Sequence, residues 1–309
     1  MTILNTILPV FVIIATGYVL RWRRFFGTEF ADGISRLTYW VGLPALLFYK
    51  TASSSYNIDD VGILFAIVMS GMLAAVLIAV LAARLLRLKG KQAGIMVQGA
   101  LRGNLVFVGI PIIMYSLAGQ EGAASAESMI VIVIALTVPV YNICSVIVLL
   151  AGLHQFDRAS IRRMLIGIVS NPLLLASLAG ISYNLLFDGL HPIAYRTLDA
   201  IGQMALPLAL ISIGATLYQE RVGRNFVPAA IAASTKVFIS PLAGLLIAIL
   251  IGASPLQTRL GLLLLACPTA ISSHILAEQI VGRQNLSASI VILSTLLSML
   301  SFTIVLACF

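Results

Sequence analysis

The sequence predicts an all-α integral membrane protein of ten transmembrane helices in two inverted five-helix repeats, with broken helices four and nine crossing at mid-membrane. Three observations carry that prediction. Apolar residues make up 60% of the chain and charged residues 10%, with a mean hydropathy of +1.07; a soluble domain carries about 25% charged residues. Basic residues cluster at every second joint between apolar runs. In each half one apolar run holds a deep proline together with polar or glycine neighbours, Arg102 to Pro111 in the first and Cys267-Pro268-Thr269-Ala270 in the second.

A membrane-spanning helix needs ~20 mostly apolar residues. Such runs are read at 3–20, 35–51, 61–85, 92–117, 127–150, 170–187, 198–218, 227–251, 255–280 and 286–308. Span one is apolar from its start, and Arg21, Arg23 and Arg24 follow it, the reverse of a cleaved signal. It is therefore expected to be a retained helix with its N-terminus outside. Span two carries Leu43-Pro44-Ala45-Leu46, and span seven answers with Leu206-Pro207-Leu208-Ala209-Leu210. Span three is unbroken. Spans five and ten read as polar-poor and β-branched. Span eight holds Lys236. The domain boundaries expected from this reading are 1–153 for the first repeat and 154–309 for the second.

The joints orient the chain. Those after spans one, three, five, seven and nine hold Arg21, Arg23, Arg24, Arg36, then Arg84, Arg87, Lys89, Lys91, then Arg158, Arg162, Arg163, then Arg221, Arg224, and finally Arg283. That is 14 of the 19 basic residues on one side. The opposite joints hold Asp59, Asp60, Glu121, Glu127, Asp188 and Asp199, with Lys50, Arg196 and Arg259. Basic joints stay cytoplasmic, so both termini are expected on the outer side. Span one then starts outside and span six inside, so the halves are inverted.

Spans four and nine are the broken pair. The stretch from Arg102 to Pro111 holds Gly103, Asn104, Gly109 and Pro111. Pro111 cannot donate a backbone hydrogen bond, and its ring opposes the carbonyl of Phe107. Cys267-Pro268-Thr269-Ala270 interrupts span nine. At 1.5 Å per residue, Asn104 lies ~18 Å into its span and Pro268 ~20 Å into its own, both near the midplane. Broken helix at that depth survives only where it is buried in protein or lines a wet cavity. Paired interrupted helices in inverted halves point to a transporter site.

These residues resemble a known family. Gly103 to Pro111, Asn171-Pro172, the run Ala205 to Gly214, and Ala266-Cys267-Pro268-Thr269-Ala270 with Ala277-Glu278 are similar to motifs of the auxin efflux carrier family. The likeness covers essentially the whole chain. It implies a scaffold domain of spans one, two, six and seven and a transport domain of spans three to five and eight to ten. It implies a fold similar to bile-acid symporters and sodium/proton antiporters, working by elevator-like alternating access. Plant members export the indole carboxylate auxin, and bacterial relatives are associated with malate, malonate and similar acids. The fifth-to-sixth joint, 152–163, is short, so the chain looks like the bacterial branch, in a bacterial cytoplasmic membrane. Plant members have proline before the asparagine, where Gly103 stands here.

The candidate site follows from both readings. Asn104 offers a neutral amide that donates to a carboxylate without the penalty of a buried charge, or else satisfies a broken carbonyl. Gly103, Gly109, Pro111, Pro268 and Thr269 are expected to shape the crossing. Thr269, Ser272 and Ser273 add hydroxyls, although serines also bond back to their own helix. Arg102 and Lys236 are the basic residues deep in spans, where a charge usually faces a cavity or partner. Arg102 is a candidate for the substrate carboxylate. Lys236 is a candidate for the place of a coupling cation. His274 is a candidate for proton coupling, since imidazole changes charge in the physiological range; a packing role is the alternative.

The expected function is secondary transport of small organic anions, with a cation-coupled symporter of a larger amphipathic anion, or a non-transport membrane protein, as the alternatives. An intramembrane enzyme would need paired deep aspartates, a zinc motif or a serine–histidine pair. No deep aspartate and no His-Glu-x-x-His is present; Ser272, Ser273 and His274 are sequence neighbours, and His154 and His191 lie in joints. Cys144, Cys267 and Cys308 fall in apolar runs with no paired spacing, so no metal or other cofactor is expected. The expected partners are a small organic anion and the lipid bilayer, with a homodimer as the candidate assembly and no nucleic acid.

Overall fold

In lipid every backbone N–H and C=O needs an internal partner, which confines long apolar runs to helices. The computed structural model describes residues 3–53, 58–153, 162, 166, 170–187, 189–220, 226–282 and 285–309. Arg158, Arg163, Arg221, Arg224 and Arg283 of the expected basic joints, with Asp188 and His154, lie outside the described residues. Among the described residues every extended element is a helix. In chain order these are α1 (Ile3–Trp22), α2 (Thr28–Leu37), α3 (Leu43–Ala52), α4 (Ile58–Leu85), α5 (Lys91–Leu101), α6 (Ile110–Leu117) and α7 (Ala123–Leu153). They continue with α8 (Pro172–Leu186), α9 (Pro192–Gln219), α10 (Phe226–Ser234), α11 (Ser240–Leu250), α12 (Pro255–Ala266), α13 (Ile271–Val281) and α14 (Asn285–Cys308).

Six stretches among the described residues are long and apolar enough to cross a bilayer: α1, α4, α7, α9, the run Phe226–Leu250 and α14. Leu105–Leu117 and α8 are shorter apolar helices. The chain is therefore a multi-pass membrane protein. The expected span two is a longer helical run, because the polar-faced α2 continues into α3. Counting apolar residues misses such an amphipathic start.

Three wide π-turns, Thr38–Gly42, Leu105–Gly109 and Thr235–Ile239, lead into α3, α6 and α11. Each ends two residues before a proline: Pro44, Pro111 and Pro241. A π-turn carries one extra residue, so the ladder is already displaced where proline has no N–H to offer. This corrects the expectation that Gly109 and Pro111 break the backbone. Gly109 closes the π-turn and Pro111 is the second residue of α6, inside a continuous helical run. The extended stretch lies earlier, between the end of α5 at Leu101 and Leu105. At Pro241 the relief is visible: the carbonyl of Val237, four residues back, accepts a hydrogen bond from the Ser301 hydroxyl.

The chain divides into two units. The first comprises Met1–Val61, Val106–Pro139 and Gly167–Gln219. Here α1 lies along α9, and α3 packs on α8 and α9. A Cβ on Gly17 would fall 2.1 Å from the Ile211 carbonyl oxygen, and one on Gly214 would fall 1.9 Å from that of Ile14. Only glycine lets these two backbones touch. Asn171 caps α8, its side-chain oxygen accepting from the N–H groups of Leu173 and Leu174. Lys50 of α3 pairs with Glu127 of α7 at 2.5 Å.

The second unit comprises Gly62–Leu105, Val140–Ile166 and Glu220–Phe309. Ile95, Met96, Ala100, Ala232, Ala277 and Ile290 are buried in one apolar cluster of this unit. Helix α14 packs against α10, α5, α12 and α13, so it runs beside both interrupted spans.

Candidate functional site

Within the second unit the two interruptions meet. After α5 the chain turns extended at Arg102, with φ −96° and ψ 102°. After α12 it does the same at Cys267, with φ −54° and ψ 138°. Gly103 and Thr269 face each other as an isolated antiparallel bridge. The Asn104 N–H donates to the Pro268 carbonyl at 2.7 Å, and the Ala270 N–H donates to the Arg102 carbonyl at 3.0 Å. Four backbone groups that the breaks set loose thus satisfy one another, as burial requires.

Neighbouring side chains take the remaining loose ends. The Thr269 N–H donates to Ser294 Oγ of α14 at 2.9 Å, and the Thr269 hydroxyl donates to the Gly99 carbonyl in the last turn of α5 at 2.7 Å. Gln98 Nε2 donates to the Ser273 carbonyl at 3.1 Å. Lys236, in the π-turn before α11, donates from Nζ to the Leu265 carbonyl in the last turn of α12 at 2.5 Å. Both half-helices that end here therefore have a C-terminal carbonyl bound by a side chain of another element. Helix α13 begins here with its N-terminal, electropositive end toward the crossing.

Lys236 has no exposed surface, and among the described residues it makes no ion pair. Its aliphatic chain packs on Gly103: a Cβ there would lie 3.0 Å from Lys236 Cε and 3.3 Å from Nζ. Gly103 thus lets the ammonium come up against the bare backbone of the bridge.

The structure brings Gly103, Asn104, Pro268, Thr269 and Lys236 together. Asn104 is buried and Arg102 half-buried beside the bridge. Both Thr269 donors are committed within the crossing, so its hydroxyl is a latch between the two spans. Ser273 is buried and its hydroxyl has no hydrogen-bond partner among the described residues, whereas Ser272 is exposed on the first turn of α13. His274 does not reach the crossing. Its Nδ1 lies 2.7 Å from Ser287 Oγ and its Nε2 lies 3.2 Å from Glu220. The helix turns the side chain at that position toward α14.

Sequence reasoning missed Gln98 and Ser294. It also misjudged span ten as polar-poor: Ser287, Ser294, Ser298 and Ser301 are all buried in α14. Their spacing of seven, four and three puts them on one helical face, which was the available signal.

The chain matches the family described as "Membrane transport protein" over residues 2–306. It is 26% identical over 300 residues to an "Uncharacterized transporter" of Methanothermobacter thermautotrophicus, an alignment that covers 96% of this chain and 95% of that protein.

Proposed function

The chain belongs to the membrane transport protein family, the auxin efflux carrier family that its motifs resemble, and from that membership we propose that it is a secondary transporter of small organic anions. The observation that carries the anion is Lys236. Removing an ammonium from water costs several kcal/mol unless it is paired. The ammonium has three donors, and the Leu265 carbonyl accepts from one of them. A carboxylate arriving at the crossing supplies the counter-charge and accepts from the others. Asn104 adds a neutral donor, and the N-terminal end of α13 adds a favourable dipole. Gly103 lets the Lys236 ammonium stand close to the main chain of the crossing.

Movement across the cytoplasmic membrane is by elevator-type alternating access through ten spans in two inverted repeats. Spans one, two, six and seven form the scaffold, and spans three to five and eight to ten the moving part. What supports this is that span three, both interruptions, Lys236 and spans eight to ten fall in one unit of the chain, while 106–139, the rest of span four and the first part of span five, falls in the unit that holds spans one, two, six and seven. The acids are malate-like or malonate-like dicarboxylates or auxin-like monocarboxylates.

Counterflow tests the reading. The purified protein in liposomes preloaded with unlabelled acid is expected to concentrate the external radiolabelled acid transiently, for at least one of malate, malonate and indole-3-acetate. A channel dissipates gradients without that overshoot. No overshoot with any of the three overturns the proposal.

A further inference from the structure

Helix α3 ends on the side opposite the basic joints, and it meets its neighbours there in two different ways. Toward α8 and α9 the contact is backbone-close. A Cβ on Gly180 of α8 would fall 2.6 Å from the Phe48 carbonyl oxygen, and one on Gly202 of α9 would fall 3.1 Å from Leu46 Cα. Toward α7 it presents polar groups. Lys50 Nζ lies 2.5 Å from Glu127 Oε2, and the two side chains are 18% and 14% exposed. The Ser128 hydroxyl donates to the Lys50 carbonyl at 2.8 Å, one of those that the last turn of a helix leaves without a helical partner. Ser128 itself has no exposed surface.

We infer that the Lys50–Glu127 pair and the Ser128 hydrogen bond form a clasp between spans two and five that opens in every transport cycle. Lys50 and Glu127 are then positioning residues for span five. The inference rests on the transport reading above and adds to it a contact that has to break.

Two observations carry it. Span two belongs to the scaffold of that reading and span five to the moving part. Yet 106–139, with Glu127 and Ser128, falls in the same unit of the chain as span two. In this conformation the first part of span five is gathered to the scaffold, and the clasp is a contact that holds it there. The second observation is that the clasped groups have other partners to turn to. Water reaches both ions, so parting them restores hydration instead of stranding a charge. The Ser128 hydroxyl also reaches the Ala124 carbonyl of its own helix at 3.0 Å, so it keeps an acceptor. The glycine contacts with α8 and α9, spans six and seven of the same scaffold, offer no such exchange. Parting backbones packed that closely forfeits their dispersion contacts. The end of α3 is thus fixed to α8 and α9 and releasable from α7.

A cleavable bridge across the clasp tests the inference. In a chain with Cys144 and Cys308 replaced by alanine, Lys50→Cys and Glu127→Cys are joined by a short bifunctional methanethiosulfonate, and mass spectrometry confirms the bridge. Counterflow is measured with whichever of the three acids is active in wild type. Bridged protein is expected to lose counterflow roughly tenfold or more relative to the same protein after reduction with dithiothreitol. Counterflow at the reduced-protein rate in bridged protein overturns the inference alone, since spans two and five would then move as one body.

A second measurement does not need transport by the variant. With Ser128→Cys in the same background, the new thiol is covered while the clasp is closed. Adding Glu127→Gln removes the ion pair and is expected to speed maleimide labelling at that position about two- to fivefold, the population shift for losing a partly exposed pair. An unchanged labelling rate overturns the inference. Absence of counterflow in wild type overturns the transport reading, and the inference with it.

Discussion

Lys236 is the side chain whose burial asks most for an explanation, because nothing acidic among the described residues answers it. Lys236→Met keeps the length of the stem and removes the charge. The change removes a buried-ion desolvation cost of several kcal/mol and leaves the Leu265 carbonyl without its donor, at about 1–3 kcal/mol. A hydrogen bond to a charged group is worth about 1.5–3 kcal/mol, roughly 10–150-fold in affinity. The variant is therefore expected to unfold at the wild-type temperature or above, while the half-saturating acid concentration in counterflow rises about tenfold or more. Unchanged half-saturation would remove Lys236 from the site. Asn104→Ala is expected to abolish exchange with expression and fold intact; flux at the wild-type rate would clear Asn104 of a binding role. Lys236, Asn104, Gly103 and Pro268 were legible in the sequence because a charge, an amide or a helix breaker stands out in an apolar run. Gln98 and Ser294 were not, since one polar residue in a helix does not show which loose backbone group it will meet.

The packing of α1 on α9 depends on two positions without a Cβ. An alanine at Gly17 or Gly214 meets a backbone carbonyl at about 2 Å, and backbone cannot rotate aside. Overpacking of this kind costs about 1–3 kcal/mol. Gly17→Ala and Gly214→Ala are each expected to lower the midpoint of thermal unfolding in detergent by several degrees. Wild-type midpoints in both would mean that the two helices separate without loss. The helices also show how an element absorbs a proline. Pro111 suggested a break, but the π-turn before it displaces the ladder, and the broken stretch moved to Gly103. A proline two residues past a π-turn recurs at Pro44 and Pro241, so the pattern is a property of these helices and not a mark of the site.

The alternation of basic joints predicts that both termini lie outside the cell. Cys308 is exposed near the C-terminus, and Cys267 is buried. With Cys144 and Cys267 replaced by alanine, a membrane-impermeant maleimide is expected to label Cys308 in intact bacterial cells. Labelling only after the cells are opened would invert the topology and place the crossing's half-helices in the opposite sense.

Membrane character, the helical class and the two interruptions could be read from the chain alone. They follow from local facts: hydrocarbon tolerates only long apolar helices, and proline and glycine weaken a helix wherever they stand. What the two interruptions do to each other required the folded unit. The pairing of Asn104 with Pro268 and of Ala270 with Arg102, the seating of Lys236 on Leu265 and the turning of His274 away toward Glu220 are contacts between residues far apart in sequence. No local pattern encodes such contacts, because which carbonyl a buried donor meets depends on how the helices pack around it.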